Sequence, residues 1–173
     1  DDTEVLACCG PVSLCATHPL HLGAVKRTNN TGEVSAMIEA LLWTLSNYPQ
    51  SQTFSFFVDS SYVLNIVLGH CRPRHDILLT TVMKYLWDAA TSRHTLRIKW
   101  IKSHSGISGN DRADTLANLG DSTDVKCPNR IGLHPRPCHH LIGEGFQQNL
   151  NAHEMPAEEI QFLRGHRYPS PQC

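Results

Sequence analysis

Two hydrophobic periods alternate along the chain. Met37, Ile38, Leu41, Leu42 and Leu45 recur at helical spacing in a segment rich in Ala and Glu, and Asn29, Asn30 and Thr31 ahead of them supply capping chemistry. That spacing predicts a helix over 31–47. Residues 53–58 (TFSFFV) form a short run of β-branched and aromatic side chains, a strand signal, which stops at Asp59 and Ser60. This polar pair can cap a following helix, 60–68, so the strand delivers a carboxylate to its C-terminal tip. An amphipathic helix follows at 75–92, an alternating strand at 95–101 (TLRIKWI), and, after a Gly-containing loop, a helix at 109–119. Residues 4–9 (EVLACC) read as a short buried strand ended by Gly10 and Pro11. The order strand, helix, strand, helix, helix, strand, helix predicts an α/β fold, a mixed sheet flanked by helices. Trp43, Trp87 and Trp100 lie on apolar faces and are expected in the core.

Composition shifts near Gly120. Pro128, Pro135, Pro137, Pro156, Pro169 and Pro171 crowd the rest of the chain, with only short apolar clusters between them. The reading therefore places one domain at 1–120 and a Pro/His-rich, mostly irregular tail at 121–173, with a short helix at 156–164. Cys127, His134, Cys138, His139 and His140 in that tail suit zinc by ligand type. Without a paired C-x-x-C knuckle, an irregular metal-free segment is the preferred reading.

The 173 residues, 40% apolar and 18% charged, allow one core and exclude a fibre or a wholly disordered chain. A net charge of -1 excludes a binder that grips nucleic acid by bulk cationic charge, so any such contact must be local. Eleven His residues would turn the chain net positive in mildly acidic solution. Seven Cys without framework spacing read as reduced thiols. No apolar run is long enough for a membrane-spanning helix. The expectation is a soluble intracellular protein with no membrane partner, cytoplasmic or nuclear.

Glu33, Asp59, His104 and Asp114 each fall near the end of an element or in a loop, and in an α/β layer such ends can converge at one rim of the sheet. Carboxylates gathered without Cys or Lys suit hard divalent ions such as Mg²⁺ or Mn²⁺. Two ions about 3.5 to 4 Å apart can drive phosphodiester hydrolysis. Taken singly, each residue has a plainer reading. Glu33 is a helix N-terminal charge, Asp59 with Ser60 a cap, and Asp114 an exposed helix residue.

Three segments then stand together: TNNTGE (28–33), DSSYV (59–63) and WIKSHSGISGNDRADTLA (100–117). In order and separation they resemble three sequence blocks of the type 1 ribonuclease H family, most similar to domains of retroelement-derived proteins. The resemblance implies a ribonuclease H-like fold and endonucleolytic cleavage of RNA in RNA/DNA hybrids. It implies Glu33, Asp59 and Asp114 as ligands of two Mg²⁺ or Mn²⁺ ions, with His104 assisting proton transfer or product departure. It also implies Asn29 and Asn30 as minor-groove contacts, and Ser60 and Ser61 as contacts to phosphate or sugar.

Three departures accompany the match. The family's fourth carboxylate, an Asp within its first, central strand, has no counterpart, since Asp1 and Asp2 precede a strand. The second strand is not seen either, and no dense basic handle occurs between 70 and 95. EVLACC matches the third strand, and 53–58 and 95–101 the fourth and fifth. The reading expects an N-terminally incomplete domain, monomeric or part of a longer polyprotein, whose activity is in question. A catalytically inactive module that binds nucleic acid or protein is the alternative. An integrase-type enzyme is less favoured, because His104 followed by Asp114 is the ribonuclease H pattern.

Overall fold

In the computed structural model, the described residues are Ala7, 9–14 and 21–121. They form four helices and two strands, α1 (Asn29–Asn47), β1 (Thr53–Val58), α2 (Ser61–Val67), α3 (Ile77–Arg93), β2 (Thr95–Trp100) and α4 (Ser108–Asp121). Each of the six was predicted, with shifts of at most two residues at the ends. Thr28 is the cap of α1 rather than the Asn pair. Its Oγ1 accepts from the Thr31 N–H (3.2 Å), and its own N–H donates to Thr31 Oγ1 (2.8 Å), so the helix begins earlier than the apolar stripe. Asp76, in the left-handed region at φ 51°, starts α3 without a side-chain cap. Of the strand expected at 4–9, only Ala7 and Cys9 are described, and neither is in a strand. The expected tail, its helix at 156–164 and its Cys/His group lie outside the described residues, as do Asp1 and Asp2.

β1 and β2 pair in parallel, Thr53 opposite Thr95 through Val58 opposite Trp100. Among the described residues this is the whole sheet. The Ile101 N–H donates to the Val58 carbonyl (2.9 Å), which holds the two C-terminal tips side by side. Helices α1, α2 and α3 cover one face. Ile38, Leu41, Leu79, Met83 and Leu86 are fully buried between them, with Phe56, Val58, Leu96 and Ile98 packed against that cluster from the sheet. Burying each such side chain contributes roughly 1.5–3 kcal/mol. Phe56 meets Trp87 edge-to-face at 5.7 Å between ring centroids.

The tryptophans correct one expectation. Trp87 is in the core and Trp43 is half-buried, but Trp100 is 46% exposed. By parity it belongs with Leu96 and Ile98 on the covered face, yet it is the last residue of its strand, beyond the helical cover. Gly120 fixes the end of α4, because a Cβ there would stand 2.7 Å from the backbone nitrogen of Gly10. Among the described residues no helix is long and apolar enough to cross a membrane.

Candidate functional site

Parallel pairing puts the C-terminal ends of both strands at one rim, and chemistry collects there. Asp59 follows β1 directly. The chain leaving β2 passes through Ser103 and His104 before α4, which carries Asp114 in its second turn. His104 is held in the left-handed region (φ 52°). Its Nδ1 lies 3.0 Å from Asp114 Oδ2, while its side chain is 81% exposed. Asp114 Oδ2 is itself shut off from solvent and makes no well-formed hydrogen bond. The imidazole thus lies against Asp114 at one nitrogen, outside hydrogen-bond geometry, and is open at the rest of its ring.

Glu33 enters from the first turns of α1. Its pKa is raised above the usual carboxylate value, first by burial and then by the negative charges of Asp59 and Asp114. Asp59 and Asp114, from two other parts of the fold, therefore each lie within electrostatic reach of Glu33. Among the described residues, however, no three acidic, His or Cys groups are close enough together to hold a metal ion. The donor chemistry fits a hard divalent cation nonetheless. All three side chains offer oxygen, their mutual repulsion is what such a cation relieves, and Asp114 has an oxygen without a satisfactory donor.

Asn29 and Asn30 are exposed in the first turn of α1. Asn30 lines an open cleft with Lys26, Thr28, Tyr62, Arg72, Arg74, His75 and Asp76, so three basic side chains share its cleft. Ser60 is the N-cap of α2, its Oγ accepting from the Val63 N–H at 3.3 Å. One lone pair is thereby committed to the fold, and the hydroxyl proton stays available. Ser61 is exposed next to it.

Two contacts at the rim were not foreseen. Ser103 Oγ donates to Asp59 Oδ2 (2.5 Å), and the Trp100 indole N–H donates to the Asp59 carbonyl (2.9 Å). The available signal was a hydroxyl next to a loop residue of interest, too common to single out. Arg72 and Arg74 lie far from Lys26 in sequence, and only the fold brings the three together.

The family model for RNase H matches residues 12–122. Among curated relatives, a protein named Ribonuclease H from Jannaschia sp. (strain CCS1) is 36% identical over 107 residues, 57% of this chain and 66% of its own length. One of the same name from Roseobacter denitrificans (strain ATCC 33942 / OCh 114) is 32% identical over 57% of this chain and 69% of its own. Another, from Janthinobacterium sp. (strain Marseille), is 36% identical over 57% and 72%. The chain thus spans about two thirds of the length of these relatives. No solved structure matches it. With the family model running from before α1 to the end of α4, and relatives of one name matching more than half of the chain, this chain belongs to the ribonuclease H family.

Proposed function

We propose that the chain is a metal-dependent ribonuclease that cleaves the RNA strand of RNA/DNA hybrids, with Glu33, Asp59 and Asp114 as cation ligands. The observation that carries this reading is geometric: adjacent loop residues at the rim meet two carboxylates, Ser103 Oγ donating to Asp59 Oδ2 (2.5 Å) and His104 Nδ1 lying 3.0 Å from Asp114 Oδ2, and the charges of both act on Glu33. Family membership supports it independently. Bound Mg²⁺ or Mn²⁺, two ions by the family resemblance, would supply Lewis acidity, activating water for attack on the phosphodiester and neutralising charge on the departing 3′ oxygen.

The side chains divide the remaining work. His104, with Nδ1 3.0 Å from Asp114 Oδ2 and its side chain otherwise exposed, would carry a proton between solvent and the rim. Asn29 and Asn30 offer paired donors and acceptors for 2′-hydroxyls and base edges in a shallow groove. Lys26, Arg72 and Arg74 in the adjoining cleft would meet phosphates, giving the local charge that a chain of net -1 needs for nucleic acid. Ser61, and the free hydroxyl proton of Ser60, can reach phosphate or sugar beside Asp59.

A second reading, a binding module without catalysis, draws on the absence of a ligation-range trio among the described residues. One experiment separates the two. The full chain is incubated with end-labelled RNA/DNA hybrid and Mg²⁺, with Asp59→Asn alongside. Metal-dependent cleavage lost in Asp59→Asn supports the enzyme. Hybrid binding without cleavage supports the module, and cleavage indifferent to Asp59→Asn removes the proposed site.

A further inference from the structure

Asp59 leaves β1 at a point where the backbone has no further ladder to constrain it, since the last interstrand bond runs from Ile101 to Val58. An aspartate on a strand tip ordinarily samples several χ1 and χ2 states. Here the neighbouring strand reaches across and fixes it twice. The Trp100 indole donates to the Asp59 carbonyl at 2.9 Å, and this accounts for an aromatic side chain left 46% exposed at the rim. Three residues later, Ser103 Oγ donates to Asp59 Oδ2 in a partly buried bond of 2.5 Å. The next residue, His104, reaches a different carboxylate, Asp114. Two adjacent loop positions thus touch carboxylates from two separate elements.

We infer that Ser103 is a positioning residue for Asp59, locking one carboxylate oxygen so that the group presents a single orientation to a divalent cation, with Trp100 holding the backbone beneath it. A hydroxyl suits the task. Its single proton satisfies one lone pair of the carboxylate and leaves the remaining acceptor capacity free, and it brings no charge that would compete with a cation. Lys102, the nearest cation in the loop, would neutralise the carboxylate instead, and it is exposed. The inference rests on the cation site proposed above, so its test must fail separately from that site.

The full-length chain, as wild type, Ser103→Ala, Ser103→Thr and Asp59→Asn, is titrated with Mn²⁺ alone and followed by the loss of free-ion EPR signal. Each protein is also assayed on labelled hybrid for kcat and KM. Supporting-ligand changes of this kind typically weaken metal binding about 10–100-fold. Ser103→Ala is expected at the lower end of that range, with kcat reduced, KM for hybrid unchanged and melting temperature within about 2 °C of wild type. Ser103→Thr, which keeps the hydroxyl, should return Mn²⁺ affinity to within about twofold. Trp100→Phe, retaining the ring without the N–H, should lie between Ser103→Ala and wild type. If Asp59→Asn loses Mn²⁺ while Ser103→Ala binds it as wild type does, the positioning role is overturned and the cation site stands. If Asp59→Asn also binds as wild type, or wild type binds no Mn²⁺, the cation site falls and takes the positioning role with it. If Ser103→Ala lowers affinity only together with stability, and Ser103→Thr does not rescue, Ser103 is structural and the inference is wrong.

Discussion

The two faces of the β1–β2 pair share a backbone but little else. Phe54, Phe56, Val58, Leu96 and Ile98 turn toward the helices and are half-buried, whereas Thr53, Ser55, Phe57, Thr95, Arg97 and Lys99 on the other face are exposed. Phe57, a large aromatic in a strand, is 60% exposed. The covered face sets stability. At the rim where the strands end, burial first and then the charges of Asp59 and Asp114 raise the pKa of Glu33. Stability and chemistry are therefore segregated, and substitutions on the two sides should separate them.

The largest effect is expected on the covered side. Leu86→Ala removes a fully buried side chain from between the helices and should cost about 2–5 kcal/mol, read as a lower urea midpoint. Phe57→Ser, on the open face, should shift stability by no more than about 0.5 kcal/mol. Comparable losses from the two would mean that the open face is covered in solution.

Next comes the capping box of α1. Thr28→Ala leaves the Thr31 N–H without its acceptor and should cost about 1 kcal/mol. It should also loosen the turn carrying Asn29, Asn30 and Glu33, so affinity for hybrid is expected to fall along with stability.

His94, at the start of β2 and 4% exposed, gives the covered side a pH signature. Its Nδ1 accepts from the Gln52 N–H (3.3 Å), its Nε2 is buried without a partner, and its ring meets Phe54 edge-to-face at 5.2 Å. Burial first, and the Arg93 charge second, hold its pKa below the ordinary value. The folded state therefore takes up the proton later than the unfolded chain does. Stability is retained above the ordinary imidazole pKa near 6.5 and lost as pH falls through the depressed folded value. His94→Asn, which keeps an acceptor for Gln52, should flatten that slope in urea titrations between pH 7 and 5.

The smallest effect has the opposite sign. Because burial and the Asp59 and Asp114 charges oppose ionised Glu33, its carboxylate works against the folded state once pH rises through the raised value. Glu33 is exposed and solvent screens these charges, so without metal Glu33→Gln should raise stability only slightly, and adding Mg²⁺ should stabilise wild type but not the variant. Melting curves with and without Mg²⁺ would show the two orders crossing.

Much of the covered side could be read from the sequence because its signal is periodic. Met37, Ile38, Leu41, Leu42 and Leu45 define α1, and Leu96 and Ile98 give the inward parity of β2. Periodicity failed where an element ends. It assigned Trp100 to the core because parity says nothing about how far a helix layer extends. Glu33, Asp59, His104 and Asp114 were singled out through block order, while the contacts that Asp59 makes were not. Ser103 lies 44 residues from Asp59, and only the β1–β2 register makes them neighbours. The cleft of Lys26, Arg72 and Arg74 was hidden in the same way, because its cations come from opposite sides of two helices in the sequence.

The central claim is that carboxylates from α1, β1 and α4 hold a cation jointly. Side-chain carboxyl ¹³C spectra of the full chain, recorded during a substoichiometric Mn²⁺ titration, test it directly. Paramagnetic broadening should reach Glu33, Asp59 and Asp114 together and before any other acidic side chain, and Mg²⁺ should reverse it. Broadening that spares any one of the three, or that begins at Asp76, Asp88 or Asp111, would contradict the claim.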